Sequence, residues 1–550
     1  MTLAEQFVTH TVENQATPLV PYDAYATDAP LIEALCREGA AWAAPDVGKL
    51  GPVAGGELAM LGFLANENKP KLRTFDSRGN RIDEVEFHPA YHRIMELGIE
   101  HGVPSYAWKN ADTAGAHVAR AALMYLYGQP EQGCCCPLTM TYASVPALRH
   151  QPELAEQWLP RITSTEYDAR FIPAWDKRGN TIGMGMTEKQ GGSDVRANTT
   201  RAQPLGKSGP GALYELVGHK WFMSAPMCDA FLVLAKAEGG LSCFLLPRFT
   251  PEGTLNAIRI QRLKDKLGNW SNASSEVEFL GAQAWLIGEE GRGVPTILEM
   301  VSLTRQDCII GSSAIMRQAL VQAIHHTRTR KAFGRTLAEQ PLMQNVLADL
   351  ALESEAHVAL MMRVARAVDG SAREPKEAAF ARIATAIGKY WVCKRCVPFV
   401  NEAQECLGGI GYVEESILPR LLREAPLNSI WEGSGNIQCL DVLRAMAREP
   451  ESRNAFFDEL ALTRGAHASY DAGVRELESM LSDVSTLELR SRHVVEKMAL
   501  LLQSSLLLRA NSELGEVFSD SRLGGSHGAM YGTLPPSAPR KKLLERALPE

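Results

Sequence analysis

Glu432 lies between Trp431 and Gly433 in the run GGIGYVEESILPRLLREAPLNSIWEGSGNIQ (408–438), inside a small-residue loop that opens a helix. A carboxylate partly desolvated against an aromatic wall has its pKa raised toward the range of a general base. A solvent-facing Glu near a helix start is the plainer alternative. Three further runs bear on chemistry. GMGMTEKQGGSDV (183–195) offers Thr187, Ser193 and closely spaced glycines, whose hydroxyls and bare backbone N–H groups can approach a flat ring or a phosphate. It reads equally as a turn-rich loop before a strand. In GHKWFMSAP (218–226), Trp221 and Phe222 precede Ser224. An aromatic beside a hydroxyl suits a planar heteroaromatic ligand, and a strand alternating between core and surface gives the same pattern. RTRKAFGR (328–335) carries four cations and a glycine stop. Guanidinium forks match diphosphate oxygens, but solvated cations also favour a helix C-terminus.

Several common sites are absent from the sequence. There is no G-x-G-x-x-G after a strand, no G-x-x-x-x-G-K-[ST] and no H-E-x-x-H, which argues against a Rossmann site, a P-loop and a zincin. Cys134, Cys135 and Cys136 are consecutive and read as small buried thiols. Cys393 and Cys396 read as adjacent turns of a helix, and no metal site is expected.

These runs sit on elements that change character along the chain. Residues 1–184 look mostly helical, with a clear stretch at 111–128. From 185 to 291 the chain reads as short strands without intervening helices, which predicts a sandwich or barrel. Helical periodicity returns at 292–446, with segments at 294–331, 341–369, 375–408 and 437–448. A helical appendix follows at 447–550, with segments at 455–482 and 485–514 and a basic tail. The expected fold is α+β and multidomain: an N-terminal helical domain, a central antiparallel β-domain, a C-terminal helical bundle carrying Glu432, and an extra C-terminal helical domain.

With 550 residues the chain exceeds what one hydrophobic core organises. Its net charge of −7 and pI near 6.1 give no global electrostatic signature of a nucleic-acid binder. No apolar run reaches the length of a membrane span. The N-terminus lacks the basic and apolar regions of a secretory signal. Eleven cysteines are too few for a disulfide scaffold at this length, so a reducing cytoplasm is expected.

Individually weak, the four runs in this order and spacing resemble the acyl-CoA dehydrogenase family over about residues 85–445. The likeness is stronger still to its AidB-type branch, which belongs to the bacterial response to DNA alkylation. MTEKQGGSD, GHKWFMS, RLKDKLGN-x-SNAS, CLGGIGYVEES and NSIWEGSGNIQCLDVLR carry that likeness. The resemblance implies FAD. Met184, Met186, Thr187, Gly192, Ser193, Phe222, Met223 and Ser224 would line the flavin ring, with Ser224 near N5. Ile430, Trp431, Gly433, Ser434 and Asn436 would complete the pocket. Arg330 and Phe333 would hold the diphosphate of FAD in a neighbouring subunit, implying a homo-oligomer, with a tetramer expected. Glu432 matches the base that removes the thioester α-proton. The alternative base position is Thr304, which cannot serve, and Arg305 matches a family arginine on the substrate side. Glu405 replaces a usual glutamine and Phe222 a usual tryptophan, which implies weak turnover on acyl-CoA, with isovaleryl-type chains expected. Trp270 stands where many relatives have arginine.

The resemblance also brings double-stranded DNA as a partner of the appendix. From Asp441 to Glu550 there are 14 Lys and Arg against 16 Asp and Glu, a net of −2. Since phosphate neutralisation dominates non-specific affinity, DNA would have to meet one face, with Arg490, Arg492, Lys497, Arg509, Lys541 and Lys542 as candidates. Three readings stay open: a DNA-associated flavoprotein protecting against alkylation with weak dehydrogenase activity, a genuine short or branched-chain acyl-CoA dehydrogenase with a structural appendix, and a non-enzymatic DNA-binding flavoprotein.

Overall fold

A computed structural model describes residues 7–549. The first helices are α1 (Ala29–Arg37), α2 (Ala44–Ala54) and α3 (Glu57–Glu67). A hairpin of β1 (Lys71–Phe75) and β2 (Arg81–Glu86) then interrupts the helical expectation for this region. Its turn is closed by Asp76, whose carboxylate accepts from the amides of Arg78 and Asn80, and by Gly79 at φ +85°. Helices α4 (Pro89–Glu100), α5 (Tyr106–Lys109), α6 (Ala116–Tyr127), α7 (Cys135–Leu148) and α8 (Pro152–Ile162) complete the N-terminal part.

The central sheet contains β3 (Ile182–Gly185), β4 (Arg201–Pro204), β5 (Leu213–Ser224), β6 (Ala230–Ala237), β7 (Gly240–Pro247), β8 (Ile258–Leu263) and β9 (Ser274–Ile287). Strand β7 pairs with both β9 and β6, so the path β6-β4-β5-β9-β7 closes on itself. The sheet is mixed, not purely antiparallel as expected, because β3 and β4 each run parallel to β6. A hairpin can make only antiparallel pairs. Strand β3 instead enters from the helical part, and the chain passes through β4 and β5 before β6 joins it.

The bundle is built on α9 (Gly293–Thr329), α10 (Pro341–Gly370) and α11 (Pro375–Cys406). Prolines at the first position preset φ for the last two. Ile309, Ile310, Ala314, Ile315, Met316, Ala319 and Leu320 are all buried and together cover every side of α9, so this helix is the core rather than its lid. Arg120 of α6 pairs with Asp307 of α9, which also accepts from Thr139 of α7 at 2.7 Å, joining the N-terminal helices to the bundle through a buried charge pair. The thiols of Cys393 and Cys396 face the carbonyls of Cys308 and Ser312 on α9, as spacing on one helix face suggests.

Short α12 (Leu418–Glu424) leads to α13 (Gly435–Arg448) and then α14 (Pro450–Ala461), α15 (Ala468–Ser482), α16 (Ser491–Ala510), α17 (Ser512–Arg522) and α18 (Arg540–Ala547). The segment expected at 455–482 is two helices, broken where Gly465 takes φ +81°. That expected at 485–514 ends at Asn511, whose extended backbone separates α16 from α17. The appendix is stitched to the bundle by buried polar contacts. Arg363 of α10 bridges Glu377 of α11 and Glu459 of α14, and Gln503 of α16 accepts from the Trp391 indole at 2.9 Å.

Candidate active site

The loop between α12 and α13 is shaped by a buried cation. Lys389, on α11 and 1% exposed, donates to the carbonyls of Asn428 at 3.0 Å, Trp431 at 2.8 Å and Gly433 at 2.8 Å. An ammonium has three donors, and all three are used on one loop. The intervening carbonyl, of Glu432, accepts from Arg305 Nε at 2.9 Å and from Gln438 Nε2 at 3.2 Å. Arg305 is fixed in turn by Asp441 at 3.0 Å. Held this way, Glu432 takes φ +58° and Gly433 φ +95°. For a residue with a side chain the left-handed region costs about 1–2 kcal/mol, and the hydrogen bonds that Lys389, Arg305 and Gln438 donate to this loop oppose it. At Gly433 a Cβ would meet Gln438 Nε2 at 2.6 Å, so a larger residue would displace that amide and be strained at this φ.

The half-buried Glu432 points its carboxyl at α9, where Thr304 Oγ1 lies 2.7 Å from Oε2 and donates to it. Burial pushes the carboxyl above the usual carboxylate range, while the Thr304 hydroxyl and the charges of Lys389 and Arg305 pull it partly back. Trp431 is part of the scaffold: its indole donates to Asn428 Oδ1, and Asn428 donates to Ser312. Arg305, expected at the substrate, is used on the loop backbone and on Asp441.

The second wall comes from the β-domain. Glu188 and Lys220, each fully buried, form an ion pair at 2.9 Å. Lys220 and the amides of Thr199 and Thr200 hold the Glu188 carboxyl well below the usual range. This pair folds the 184–193 loop onto β5, where Trp221 N donates to the Thr187 carbonyl at 2.8 Å. At Gly192 a Cβ would meet Thr187 Oγ1 at 2.4 Å, so the loop offers bare backbone there. Met184, Met186, Thr187 and Ser224 are half-buried, Ser193 is exposed and Met223 is fully buried. Phe222 is 50% exposed, an unusual state for such a ring, with Lys264 Nζ 4.6 Å from its centre.

Cys136 joins the two walls. Burial pushes its thiol up to about 11, while Lys266, Ser224 and Asn272 pull it partly back and the Glu432 charge adds to the rise, so it stays protonated. Lys266 donates to Ser274 Oγ at 3.1 Å and to the Asn272 carbonyl at 2.7 Å, and burial pulls its ammonium down to about 8. Trp270 locks this loop. Its ring lies between Lys69 Nζ at 3.8 Å and Arg423 at 4.1 Å, so its position next to the site is structural. Beside Cys136 and Ser224, their neighbours Pro137 and Ala225 border a cavity of about 180 Å³ walled by Phe87, Tyr91, His92 and Tyr167.

Thus 184–193, 222–224 and Lys266 form one group in the β-domain, Thr304 and 428–433 a second in the bundle, and the buried Cys136 thiol feels the charge of Glu432. Lys389, Lys266 and Cys136 were not singled out from the sequence as site residues. Ile430 and Ser434 are exposed at the rim, and Asn436 is exposed on the first turn of α13. Arg330 and Phe333 lie elsewhere. Arg330 is 25 residues beyond Arg305 on α9, about 37 Å at 1.5 Å per residue. It donates to the Asn14 carbonyl and leads into the hairpin of β10 (Lys331–Ala332) and β11 (Arg335–Thr336). Phe333 at its tip is 99% exposed with φ +53°.

The cations expected to face DNA are mostly paired. Arg490 is bound to Asp483, Lys497 to Glu476, Arg509 to Glu459, Lys541 to Glu545 and Lys542 to Glu513. Arg492 instead donates to Asn436 Oδ1 at 2.9 Å. Among the described residues no helix is long and apolar enough to cross a membrane.

Comparison with known proteins agrees with this architecture. Residues 14–169 match the family described as adaptive response protein AidB N-terminal domain, 183–281 the acyl-CoA dehydrogenase middle domain, and 291–447 the acyl-CoA dehydrogenase C-terminal domain. The chain is 50% identical to the AidB protein of Escherichia coli (strain K12) over 475 residues, 86% of this chain and 87% of that one. Its fold matches Caenorhabditis elegans ACDH-11 in complex with C11-CoA with TM-score 0.84 at 28% identity, covering 94% and 93% of the two chains. An acyl-CoA dehydrogenase from Bacillus anthracis complexed with FAD shares the fold with TM-score 0.62 at 18% identity, covering 78% and 77%.

Lys389→Met leaves three loop carbonyls without their buried donor. We expect a loss of about 3 kcal/mol or more in unfolding free energy, with hydrogen exchange in 428–434 rising far more than in the sheet. Unchanged protection of that loop would refute its dependence on Lys389.

Proposed function

The chain belongs to the acyl-CoA dehydrogenase family, in its AidB-type branch, and from that membership we propose that it is an FAD-dependent oxidoreductase in which Glu432 removes the α-proton of an acyl-CoA thioester. The observation that carries the reading is the placement of the Glu432 carboxyl, held against α9 by the Thr304 hydroxyl at 2.7 Å and raised in proton affinity by burial.

The residues present fit FAD. The loop 184–193 supplies hydroxyls and a bare backbone at Gly192, and the half-exposed Phe222 offers an apolar ring face. FAD, when bound, supplies the hydride acceptor. Thr304 occupies Oε2, which leaves Oε1 of Glu432 to receive the proton. Burial raises the affinity of that oxygen for a proton, while Thr304, Lys389 and Arg305 keep the charged form accessible. The buried Cys136 helps exclude water between the walls and, being protonated, does not compete as a base. Substitution of Phe222 for a larger aromatic supports slow turnover. The ACDH-11 structure holds C11-CoA, and by that likeness an acyl-CoA is the substrate class here.

Arg330 and Phe333 are about 37 Å along α9 from Arg305, so they can complete a cofactor site only in a second copy. The exposed Phe333, Leu342 and Tyr412 support a homo-oligomer, and the family resemblance makes it a tetramer. Eleven unpaired cysteines suit a reducing, cytoplasmic setting. DNA association and protection against alkylation stand second, because five of the six candidate cations would have to leave carboxylates first.

Anaerobic addition of an acyl-CoA, with isovaleryl-CoA and a C11 chain as the first probes, should bleach the flavin's visible band. Glu432→Gln should retain FAD and lose the bleaching; a variant that bleaches as fast as the parent would sink the assignment. Thr304→Val removes a contact that favours the ionised carboxylate. The acid limb of the reduction rate, which falls as Glu432 is protonated, should therefore move up by about half to one pH unit; a limb that stays put or moves down argues against the contact. Phe333→Ser should lower the mass measured by light scattering, and an unchanged mass would remove the proposed interface.

A further inference from the structure

Arg492 belongs to the appendix, yet it reaches the rim of the candidate site. It projects from the first turn of α16 and donates to Asn436 Oδ1 at 2.9 Å, four residues after Glu432. Lys394 of α11 converges on the same spot: a Cβ at Gly435 would meet Lys394 Cε at 2.9 Å. The charges of both cations lower the Cys439 thiol, which burial raises. Among the described residues neither Arg492 nor Lys394 has a carboxylate partner, in contrast to the other five appendix cations considered above. Arg492, Lys394 and Asn436 are all exposed. Two cations without a carboxylate partner among the described residues, one on Asn436 and one against Gly435, make a charge arrangement suited to an organic diphosphate, since guanidinium and ammonium donors match its oxygens. Four residues span at most about 14 Å, the scale on which a linker joins a flavin ring to its diphosphate.

We propose that Arg492, assisted by Lys394, binds the diphosphate of the cofactor at the rim beside Asn436, from the copy that carries Glu432, while Arg330 and Phe333 approach the same diphosphate from a second copy, so that the C-terminal appendix is part of the cofactor site. This rests on the flavoprotein reading above and gives the appendix a role independent of DNA. The same donor chemistry would also accept the phosphates of coenzyme A, and the two sources are separable.

The test uses the full-length protein stripped of cofactor and titrated with FAD, followed by flavin fluorescence, with coenzyme A titrated into the holoprotein as a second arm. Arg492→Gln should weaken FAD binding about three- to tenfold and flatten its dependence on salt. Lys394→Gln should act in the same direction, and Arg492→Lys should recover most of the loss. Arg490→Gln, which alters the neighbouring cation held by Asp483, should bind FAD as the parent does. The melting temperature of the stripped protein should be the same with and without Arg492, which separates a ligand contact from a folding defect. FAD affinity indifferent to Arg492 overturns the inference, as does an equal loss in Arg490→Gln. Unchanged FAD binding with weakened coenzyme A binding overturns the assignment to the cofactor and moves the cations to the substrate. A parent protein that takes up no FAD overturns the flavoprotein reading itself.

Discussion

A single buried ammonium organises the candidate site. Lys389 brings three donors into the protein interior, where leaving any of them unsatisfied would cost more than an ordinary hydrogen bond returns. The loop answers with three carbonyls from Asn428, Trp431 and Gly433. Once those carbonyls are fixed, the backbone between them has little freedom, and Glu432 is held in the left-handed region with its side chain directed at Thr304. The rigidity of the proposed base thus comes from main-chain anchoring, and its carboxyl is left with one protein hydrogen bond and one free oxygen.

The same economy appears at the scale of domains. No one layer contains the site. The sheet supplies 184–193 and 222–224, the N-terminal helices supply Cys136, and the bundle supplies Thr304, Lys389 and Glu432. Buried charges hold these parts in place: Glu188 to Lys220 within the sheet, Arg120 to Asp307 between N-terminal helices and bundle, and Arg363 to Glu377 and Glu459 between bundle and appendix. Breaking such a pair by removing one partner leaves an uncompensated charge in the interior. That penalty constrains how the N-terminal helices, the bundle and the appendix meet.

Much of this was legible in the sequence, for identifiable reasons. Long helices announce themselves by periodicity and by proline at their first positions, so α10 and α11 were expected within two residues of their ends. Glu432 could be singled out because a carboxylate between an aromatic and glycines is chemically suggestive on its own. Lys389 could not. In ATAIGKYWVC a lone lysine on an apolar helix reads as a snorkelling side chain, and its partners are carbonyls, which carry no sequence signal. Cys136 was read as a buried thiol, which it is, but its contact with Ser224 depends on how α7 meets the sheet. Trp270 has no local rationale, because the cations it packs against, Lys69 and Arg423, are far from it in the chain. The parallel pairing of β3 with β6 was equally hidden, because strand direction is set by the route of the chain rather than by local pattern. The charge count of the appendix was uninformative until each cation could be matched to its carboxylate.

The central claim is that Glu432 is the group that takes the α-proton. The most direct measurement is the exchange of α-hydrogen for solvent deuterium in a bound acyl-CoA analogue that cannot be oxidised, followed by mass spectrometry, since it reads proton removal separately from hydride transfer. The account predicts exchange in the parent protein that falls away at acid pH, with a midpoint above the usual carboxylate range, and no exchange above background in Glu432→Gln. Exchange at the parental rate in that variant would contradict it.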